Sequence, residues 1–288
     1  MTWEETIQYI RTKPEYAFLV EKAYFDESLH LNVERFKNSE EYIETVRLIK
    51  SYKPLAKNIL DIGCGNGISS ISFAIDGYEV SAVEPDPSDT IGAGAIRKLA
   101  AHYYLTNIKV YEAFAEDIHF NDNSFDIVYV RQAMHHAHDL SKFISECARV
   151  LKKGGILFTV RDHVVFNKKD KDWFLINHPL QKFYGGENAF SPEEYKNAMT
   201  SAGLRVEKEI KHFESVINYF PTTKEEFESG KINFEINSKE NLIKKIGFFA
   251  NIPLLYNLYK RYLKSRDVEF ANERHIAGRM YSYISIKQ

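Results

Sequence analysis

The chain has 288 residues, of which 44% are hydrophobic and 27% charged, and its formal net charge is −2. Such a chain can bury one sizeable core with an appendage, and its balanced charge gives no case for a nucleic-acid partner. Its start lacks the basic residues and apolar stretch of a signal peptide, and no run reaches the roughly 18 apolar residues of a membrane span. We therefore expect a cytoplasmic protein.

The first 53 residues carry an amphipathic helical pattern. Apolar side chains recur close to helical spacing at Ile43, Val46 and Ile49, and Pro54 ends the pattern. Because this stretch precedes the first predicted strand, we expect it to form an N-terminal helical cap, which we call the N-terminal cap (residues 1–53).

From residue 58 onward, predicted strands and helices alternate. Short runs rich in Val and Ile are typical of strands that are covered on both faces. We place strands near 58–62, 79–84, 108–112, 125–130 and 155–161, and helices near 67–76, 88–105 and 139–151. This alternation predicts an α/β fold, with a mostly parallel sheet, right-handed crossovers and helices on both faces.

The remaining third of the chain continues this fold after a long connection over residues 163–190. A helix starts at Ser191-Pro192-Glu193-Glu194, with Ser at the cap and Pro in the first turn, and ends at Gly203. Leu204 to Phe213 is interpreted as a sixth strand and Arg279 to Ile286 as a seventh.

These elements suggest three parts. They are the N-terminal cap, a main domain over 54–218 plus 276–288, and a helical insertion over 219–275. Within the insertion, residues 246–265 mix apolar and basic side chains. One interpretation is a membrane-surface helix; we favour a helix that packs on the main domain or on a second subunit, which leaves a homodimer open and makes membrane contact unexpected.

A glycine-rich motif follows the first predicted strand. Residues 61–67 read DIGCGNG, and the second strand ends with an acid at Glu84, followed by Pro85. Glycines lack Cβ, so the chain can turn sharply there and a flat ligand can lie against its backbone amides. Parallel sheets bind ligands at the carboxyl ends of their strands, where both features fall.

Together with Phe125–Val130 and Leu151–Gly155, these motifs resemble those of the class I S-adenosylmethionine-dependent methyltransferases. The resemblance covers roughly residues 40–213 and the final strand. It implies a seven-stranded sheet, S-adenosylmethionine as cofactor, and methyl transfer to a small molecule such as a sugar, a secondary metabolite or a quinone-like ring. The alternative is a protein of the same fold that does not catalyse and acts through partners.

The resemblance also assigns cofactor contacts. A carboxylate at Asp61 can meet the cofactor's ammonium or order water around it, and amides of Gly63–Gly67 can hold its carboxylate end. Glu84 can accept both ribose hydroxyls. The residues expected at the cofactor are Asp61, Gly63, Cys64, Gly65, Gly67, Glu84, Pro85, Ala115, Glu116 and Arg131.

The adenine segment departs from the family's usual pattern. Phe114 stands where family members often carry an adenine-binding Asp. Either Asp117 takes over that contact or backbone groups at Ala115 suffice; we favour Ala115 and Glu116 as the neighbours of the adenine.

A nicotinamide dinucleotide site is the competing interpretation of the glycine motif. Its fingerprint needs Gly-x-Gly-x-x-Gly. Counting from Gly63 the last position is Ile68, and counting from Gly65 it is Ser70, so neither register fits. The third glycine allows close helix-to-strand packing, and we therefore reject a dehydrogenase.

Histidines follow the fourth predicted strand at His135, His136 and His138. The resemblance places His135 and His136 close to the transferred methyl, where an imidazole can act as a base because it titrates near neutral pH. The alternative is that they only pack or hydrogen-bond backbone, the role we favour for His138. Three histidines in four positions also suggest a metal, but Cys or Glu ligands at useful spacing are lacking nearby, so we predict none.

Substrate contacts are expected from two places. His163 follows the fifth strand at the binding edge, where it is either a substrate contact or part of a polar strand end. Residues 183–190, which we call the closing segment, carry paired glycines beside polar side chains, as a loop that closes over a site needs. An ordinary turn is the other option. Tyr184, Glu187 and Asn188 are our predicted contacts within it.

Overall fold

A seven-stranded sheet organises the chain in the computed structural model, which describes residues 1–212, 214–219, 224–266 and 279–288. The strands are β1 (Asn58–Ile62), β2 (Glu79–Val83), β3 (Ile108–Tyr111), β4 (Phe125–Arg131), β5 (Leu151–His163), β6 (Leu204–Ile210) and β7 (Met280–Lys287). Their order is β3-β2-β1-β4-β5-β7-β6. β7 runs antiparallel to both neighbours and all other pairs are parallel, which confirms the predicted fold class.

Strand order reverses between β1 and β4. The chain builds β2 and β3 outward on one side of β1, then returns to place β4 on the other side. In register, Asp61 of β1 lies between Ala82 of β2 and Tyr129 of β4. The carboxyl ends of these central strands therefore frame the crevice where open α/β sheets bind ligands.

Helices cover both faces of the sheet. They are α1 (Trp3–Arg11), α2 (Ala17–Lys22), α3 (Leu29–Lys37), α4 (Glu40–Tyr52), α5 (Ile68–Ile75), α6 (Ala93–His102), α7 (Leu140–Val150), α8 (Lys168–Asn177), α9 (Gln181–Tyr184), α10 (Pro192–Ser201), α11 (Lys224–Ile246) and α12 (Pro253–Arg266). In one core, α7 and α10 pack on side chains such as Leu60. In the other, the four helices from α3 through α6 pack on side chains such as Ile59. Neighbouring residues such as Ile59 and Leu60 enter different cores because successive side chains of a strand point to opposite faces of the sheet.

Two stretches differ from the sequence prediction. The connection over 163–190 contains α8 and α9, whose few buried residues give little helical pattern to detect. β5 begins at Leu151 rather than near 155, because residues 151–155 already belong to the strand, with a shifted register opposite β4.

The predicted insertion over 219–275 lies partly outside the described residues, which omit 220–223 and 267–278, and position 213 of the sixth predicted strand is omitted as well. The described part contains α11 and α12, joined by a short 3-10 helix at Gly247–Asn251. Among the described residues, no helix is long and apolar enough to cross a membrane.

A buried charge cluster joins the N-terminal cap to the sheet. Glu41 of α4 accepts hydrogen bonds from Arg131 at the end of β4, at 2.6 and 3.1 Å, and pairs with Arg161 of β5. Burial alone would raise the pKa of Glu41, but the two guanidinium groups hold it below its ordinary value. Glu41 thus pairs with two guanidinium groups that are largely removed from water.

Replacing that carboxylate should destabilise the fold. We expect Glu41→Gln to lower the free energy of unfolding by about 3–5 kcal/mol, since two buried cations lose their compensating charge. The neighbouring Glu40→Gln is the matched control, because Glu40 is exposed in the same helical turn and should cost less than about 1 kcal/mol. Urea unfolding of both variants measures the difference, and equal losses would show that the cluster contributes little.

Candidate functional site

A cavity of about 430 Å³ opens at the carboxyl ends of β1, β2 and β4. The glycine motif forms one wall, the segment after β3 a second, and the segment after β4 a third. The predicted site residues that line it are Gly63, Cys64, Gly65, Glu84, Pro85, Ala115, Glu116, Arg131, His136 and Tyr184.

The glycine loop (Gly63–Gly67) turns tightly under the cavity. Gly63, Gly65 and Gly67 all adopt positive φ, at 64°, 53° and 80°. The Gly63 N–H donates to the carbonyl of Val83 at 2.8 Å, and a Cβ at Gly63 would lie only 2.4 Å from the Cβ of Ala133. The first position therefore requires glycine for both its conformation and its contact with the segment after β4.

Glu84 is tied to the same loop. Its carboxylate accepts from the Gly65 N–H at 2.7 Å and from the Asp86 N–H at 3.1 Å. Burial raises the pKa of Glu84 to about 7, although the two amides oppose that shift. Because each carboxylate oxygen can accept more than one hydrogen bond, the group can still receive two ligand hydroxyls.

Asp61 hydrogen-bonds within the fold, and its predicted contact with the cofactor stays a prediction. Its Oδ2 accepts from the hydroxyls of Ser69 and Ser70, at 2.6 Å each, and it does not line the cavity. Its Oδ1 has no hydrogen-bond partner among the described residues, and burial raises its pKa to about 6. Asp61 therefore joins β1 to the first turn of α5; Gly67, which precedes that turn, is likewise not a lining residue.

The predicted adenine side lies at Ala113–Glu116. Phe114, Ala115 and Glu116 line the cavity, whereas Asp117 does not. The Glu116 carboxylate accepts from the backbone N–H of His138 at 2.9 Å, which ties this segment to the one after β4. The sequence left two options for the adenine contact, Asp117 or the backbone at Ala115. Ala115 and Glu116, which we favoured as neighbours of the adenine, are the residues that line the cavity.

The N-terminal cap supplies lining residues that sequence reasoning missed. Trp3 and Phe25 line the cavity, with their ring centroids 5.6 Å apart. Asn66 of the glycine loop donates to the carbonyl of Tyr24 at 2.7 Å, which holds the cap over the loop. The sequence signal for these lining residues was the high aromatic content of 14%. That content does not show which rings face a cavity and which fill a core.

His138 lines the cavity, and of the neighbouring pair His135 and His136, which differ in their surroundings, so does His136. Its Nδ1 lies 2.8 Å from the carbonyl oxygen of Gly186. A carbonyl can only accept, so Nδ1 carries the proton and Nε2 keeps its lone pair. Desolvation of the ring and the adjacent His135 lower the pKa of His136 below its ordinary value, which favours the neutral ring, although the residue is exposed to solvent.

His135 is buried behind His136 and does not line the cavity, which corrects its predicted placement. Its Nδ1 lies 3.0 Å from Asp162 Oδ1, and its Nε2 lies 3.7 Å from Glu187 Oε2. Burial alone would lower the pKa of His135, but these two carboxylates raise it to about 9.

Of the four predicted substrate contacts, Tyr184 alone lines the cavity. Its hydroxyl donates to Glu187, whose carboxylate points inward to the buried histidines. The Asn188 side chain accepts from the N–H of Ala189 at 2.9 Å, and His163 packs behind His135 with ring centroids 4.8 Å apart. The closing segment does reach the cavity, but through Tyr184 and Gly186 rather than through its acid or its amide.

Arg131 lines the cavity, but its guanidinium group already has partners within the protein. Its guanidinium is held by Glu41 and lies over the ring of Phe36, 5.0 Å from its centroid. Its predicted part in cofactor binding therefore stays a prediction, and the observed contacts give it a role in holding the cap.

Comparison with known proteins finds similarity to methyltransferases. Residues 60–159 match a family model described as a methyltransferase domain. The chain is 27% identical to the ubiquinone biosynthesis O-methyltransferase of Rhizobium leguminosarum over 54% of this chain and 63% of that protein. It is 30% identical to the uncharacterized methyltransferase YcgJ of Bacillus subtilis over 51% of this chain and 58% of that protein. The chain thus spans less than two thirds of these relatives.

Solved structures show the same fold at lower identity. The crystal structure of YcgJ superposes with a TM-score of 0.54 and 20% identity, covering 86% of this chain and 99% of that one. The structure of the cyclase SpnF superposes with a TM-score of 0.56 and 14% identity, covering 96% of this chain and 95% of that one.

Substitution at the first glycine of the loop should test the geometry under the cavity. Gly154 is the matched control, since it has φ 71° and open space where a Cβ would stand, whereas Gly63 has φ 64° and a neighbour at 2.4 Å from that position. We expect Gly154→Ala to cost about 1–2 kcal/mol for the left-handed backbone, and Gly63→Ala about 1–3 kcal/mol more for the clash. Urea unfolding compares them; similar costs would contradict the contact with Ala133.

Proposed function

We propose that this chain, a member of the class I S-adenosylmethionine-dependent methyltransferases, transfers a methyl group from S-adenosylmethionine to a small-molecule acceptor. The observation that carries the proposal is the joint wall made by the glycine loop and Glu84. Backbone without side chains at Gly63 and Gly65 meets a buried carboxylate there in one cavity, at the switch point of the sheet. A cavity of about 430 Å³ is in the size range of small-molecule sites.

The residues present fit the cofactor. The tight glycine loop and the start of α5 offer amides and a positive helix end to the carboxylate of its amino-acid portion. Glu84 would accept the two ribose hydroxyls, and Phe114 with Ala115 and Glu116 would flank the adenine. When bound, the cofactor supplies an electrophilic methyl group on its sulfonium.

The chain's own contribution to the chemistry is positioning and proton removal. Positioning of the reactants can contribute about 7–11 kcal/mol to lowering the barrier. His136 would accept the acceptor's proton at Nε2, because the Gly186 carbonyl keeps the ring proton on Nδ1. Trp3, Phe25 and Tyr184 enclose the cavity and would exclude water from the transfer.

An aromatic or quinone-like acceptor is the class we favour. Support comes from the named function of one relative, a ubiquinone biosynthesis O-methyltransferase. The rings of Trp3, Phe25, Phe143 and Tyr184 line the cavity and would pack against a flat, apolar acceptor. A cytoplasmic location and a homodimer stay predictions.

A second candidate function is a chemistry other than methyl transfer on the same fold. The cyclase SpnF shares the fold over nearly the whole chain, and fold alone does not give function. Incubation with methyl-labelled S-adenosylmethionine and a panel of catechols and hydroxylated quinones distinguishes the two. Label in any acceptor supports methyl transfer, whereas binding of the cofactor without transfer to any member of a broad panel favours the alternative.

Glu84 gives a direct test of cofactor binding. We expect Glu84→Gln to weaken S-adenosylhomocysteine about 10–100-fold, since hydrogen bonds to a charged group contribute about 1.5–3 kcal/mol. Glu79→Gln is the matched control, because Glu79 is exposed at the opposite end of β2. Isothermal titration calorimetry measures both, and equal affinity in the Glu84 variant and the wild type would refute the ribose contact.

The same contact predicts a pH dependence. Glu84 has a pKa of about 7 in the free protein, and only its carboxylate can accept both hydroxyls. Affinity for S-adenosylhomocysteine should therefore rise as the pH rises through 7, by about tenfold between pH 6 and pH 8. The Glu84→Gln variant should lack this slope; if it keeps the slope, another group is responsible.

His136 gives the test of proton removal. We expect His136→Asn to lower the turnover rate about 10²–10⁴-fold while leaving S-adenosylhomocysteine affinity within a few-fold of wild type. His119→Asn is the control, because His119 is exposed and outside the cavity lining. A His136 variant that keeps full turnover with a titratable acceptor would show that the acceptor loses its proton elsewhere.

A further inference from the structure

Three side chains from separate parts of the chain converge beside the cavity. His135 belongs to a 3-10 helix at Met134–His136, His163 ends β5, and Glu187 comes from the closing segment. One nitrogen or oxygen atom from each lies within 4.8 Å of the atoms from the other two. We call His135, His163 and Glu187 the His-Glu cluster.

Two atoms of this cluster lack the partners that buried polar atoms need. His163 Nδ1 and Glu187 Oε2 are buried and have no hydrogen-bond partner among the described residues. The 3.7 Å between Glu187 Oε2 and His135 Nε2 is too long for a hydrogen bond. A buried polar atom left unpaired destabilises the fold, so the arrangement calls for a further partner between these side chains.

The surroundings of His135 are those of a metal-binding histidine. Asp162 Oδ1 accepts from its Nδ1–H at 3.0 Å and also from its backbone N–H at 3.1 Å. This contact fixes the ring and leaves Nε2 directed toward Glu187. A carboxylate behind the imidazole is the usual support that orients a histidine ligand and raises its basicity.

We propose that the His-Glu cluster binds one divalent first-row transition-metal ion, for which Zn²⁺ is the probe. Two imidazoles and one carboxylate suit Zn²⁺ or Fe²⁺, whereas Mg²⁺ prefers oxygen ligands alone. The proposal does not depend on methyl transfer. It also differs from the prediction made from the sequence, which considered only the histidines near His135 and found no ligand set.

Metal binding would hold the closing segment against His135 and His163. Ligands at the usual distances of about 2.0–2.1 Å around one tetrahedral ion lie roughly 3.3 Å apart, which is less than the 4.8 Å limit within which these atoms now lie. Glu187 is the ligand on a loop, so it would move inward toward His135 and His163. Tyr184 would follow, because its hydroxyl donates to the same carboxylate.

Calorimetric titration of the chelator-treated full chain with Zn²⁺ tests the proposal. We expect one equivalent to bind, with affinity at least about 100-fold lower in Glu187→Gln and in His163→Asn, and about 10–100-fold lower in Asp162→Asn. His119→Asn, which changes an exposed histidine outside the cluster, should bind like wild type. Mg²⁺ should not compete. Absence of stoichiometric binding in the wild type, or equal affinity in all variants, would overturn the site.

Two measurements on the wild type keep the test decisive if a variant fails to fold. X-ray absorption of the Zn²⁺-loaded chain should show two imidazole ligands and one carboxylate ligand. Hydrogen–deuterium exchange of peptides covering residues 183–190 should slow at least several-fold when Zn²⁺ is added. A different ligand set, or exchange in that segment unchanged by Zn²⁺, would refute binding by Glu187 whether or not the chain methylates anything.

Discussion

A buried carboxylate between two guanidinium groups holds the N-terminal cap against the sheet beside the cavity. Glu41 is the only link of its kind described between the N-terminal cap and the ends of β4 and β5, through Arg131 and Arg161. Charges removed from water must be compensated, so the helix that carries Glu41 can occupy only one place relative to the sheet. Arg131 of the same cluster also lies over the ring of Tyr24, 5.8 Å from its centroid, and Tyr24 accepts a hydrogen bond from Asn66 of the glycine loop.

The parts of the site that could be predicted from the sequence are those set by short-range rules. The glycine loop follows directly from β1, and Gly63 has both a positive φ and a neighbour that excludes a Cβ. Glu84 ends the adjacent parallel strand, so alternation of strands and helices is enough to bring it to the loop. The sheet was predictable for the same reason, since β1, β2, β4 and β5 each contain a buried apolar run and a helix follows each of them.

Long-range contacts account for what the sequence did not reveal. His135 and His136 are neighbours in the chain, yet one is enclosed by Asp162 and Glu187 and the other faces the cavity. Nothing in the local pattern distinguishes them, because the distinction comes from β5 and from the closing segment. The glycine motif likewise does not indicate that Asp61 accepts hydrogen bonds from Ser69 and Ser70, which lie in the first turn of α5 directly after the loop.

Trp3 lies against Tyr184, with their ring centroids 4.7 Å apart, so the two covers of the cavity touch each other. Trp3 belongs to α1 and Tyr184 to the end of α9, far apart in the sequence. The N-terminal cap and the closing segment therefore cannot separate over the cavity without breaking this aromatic contact, and a change in either ring alters the cover that both form.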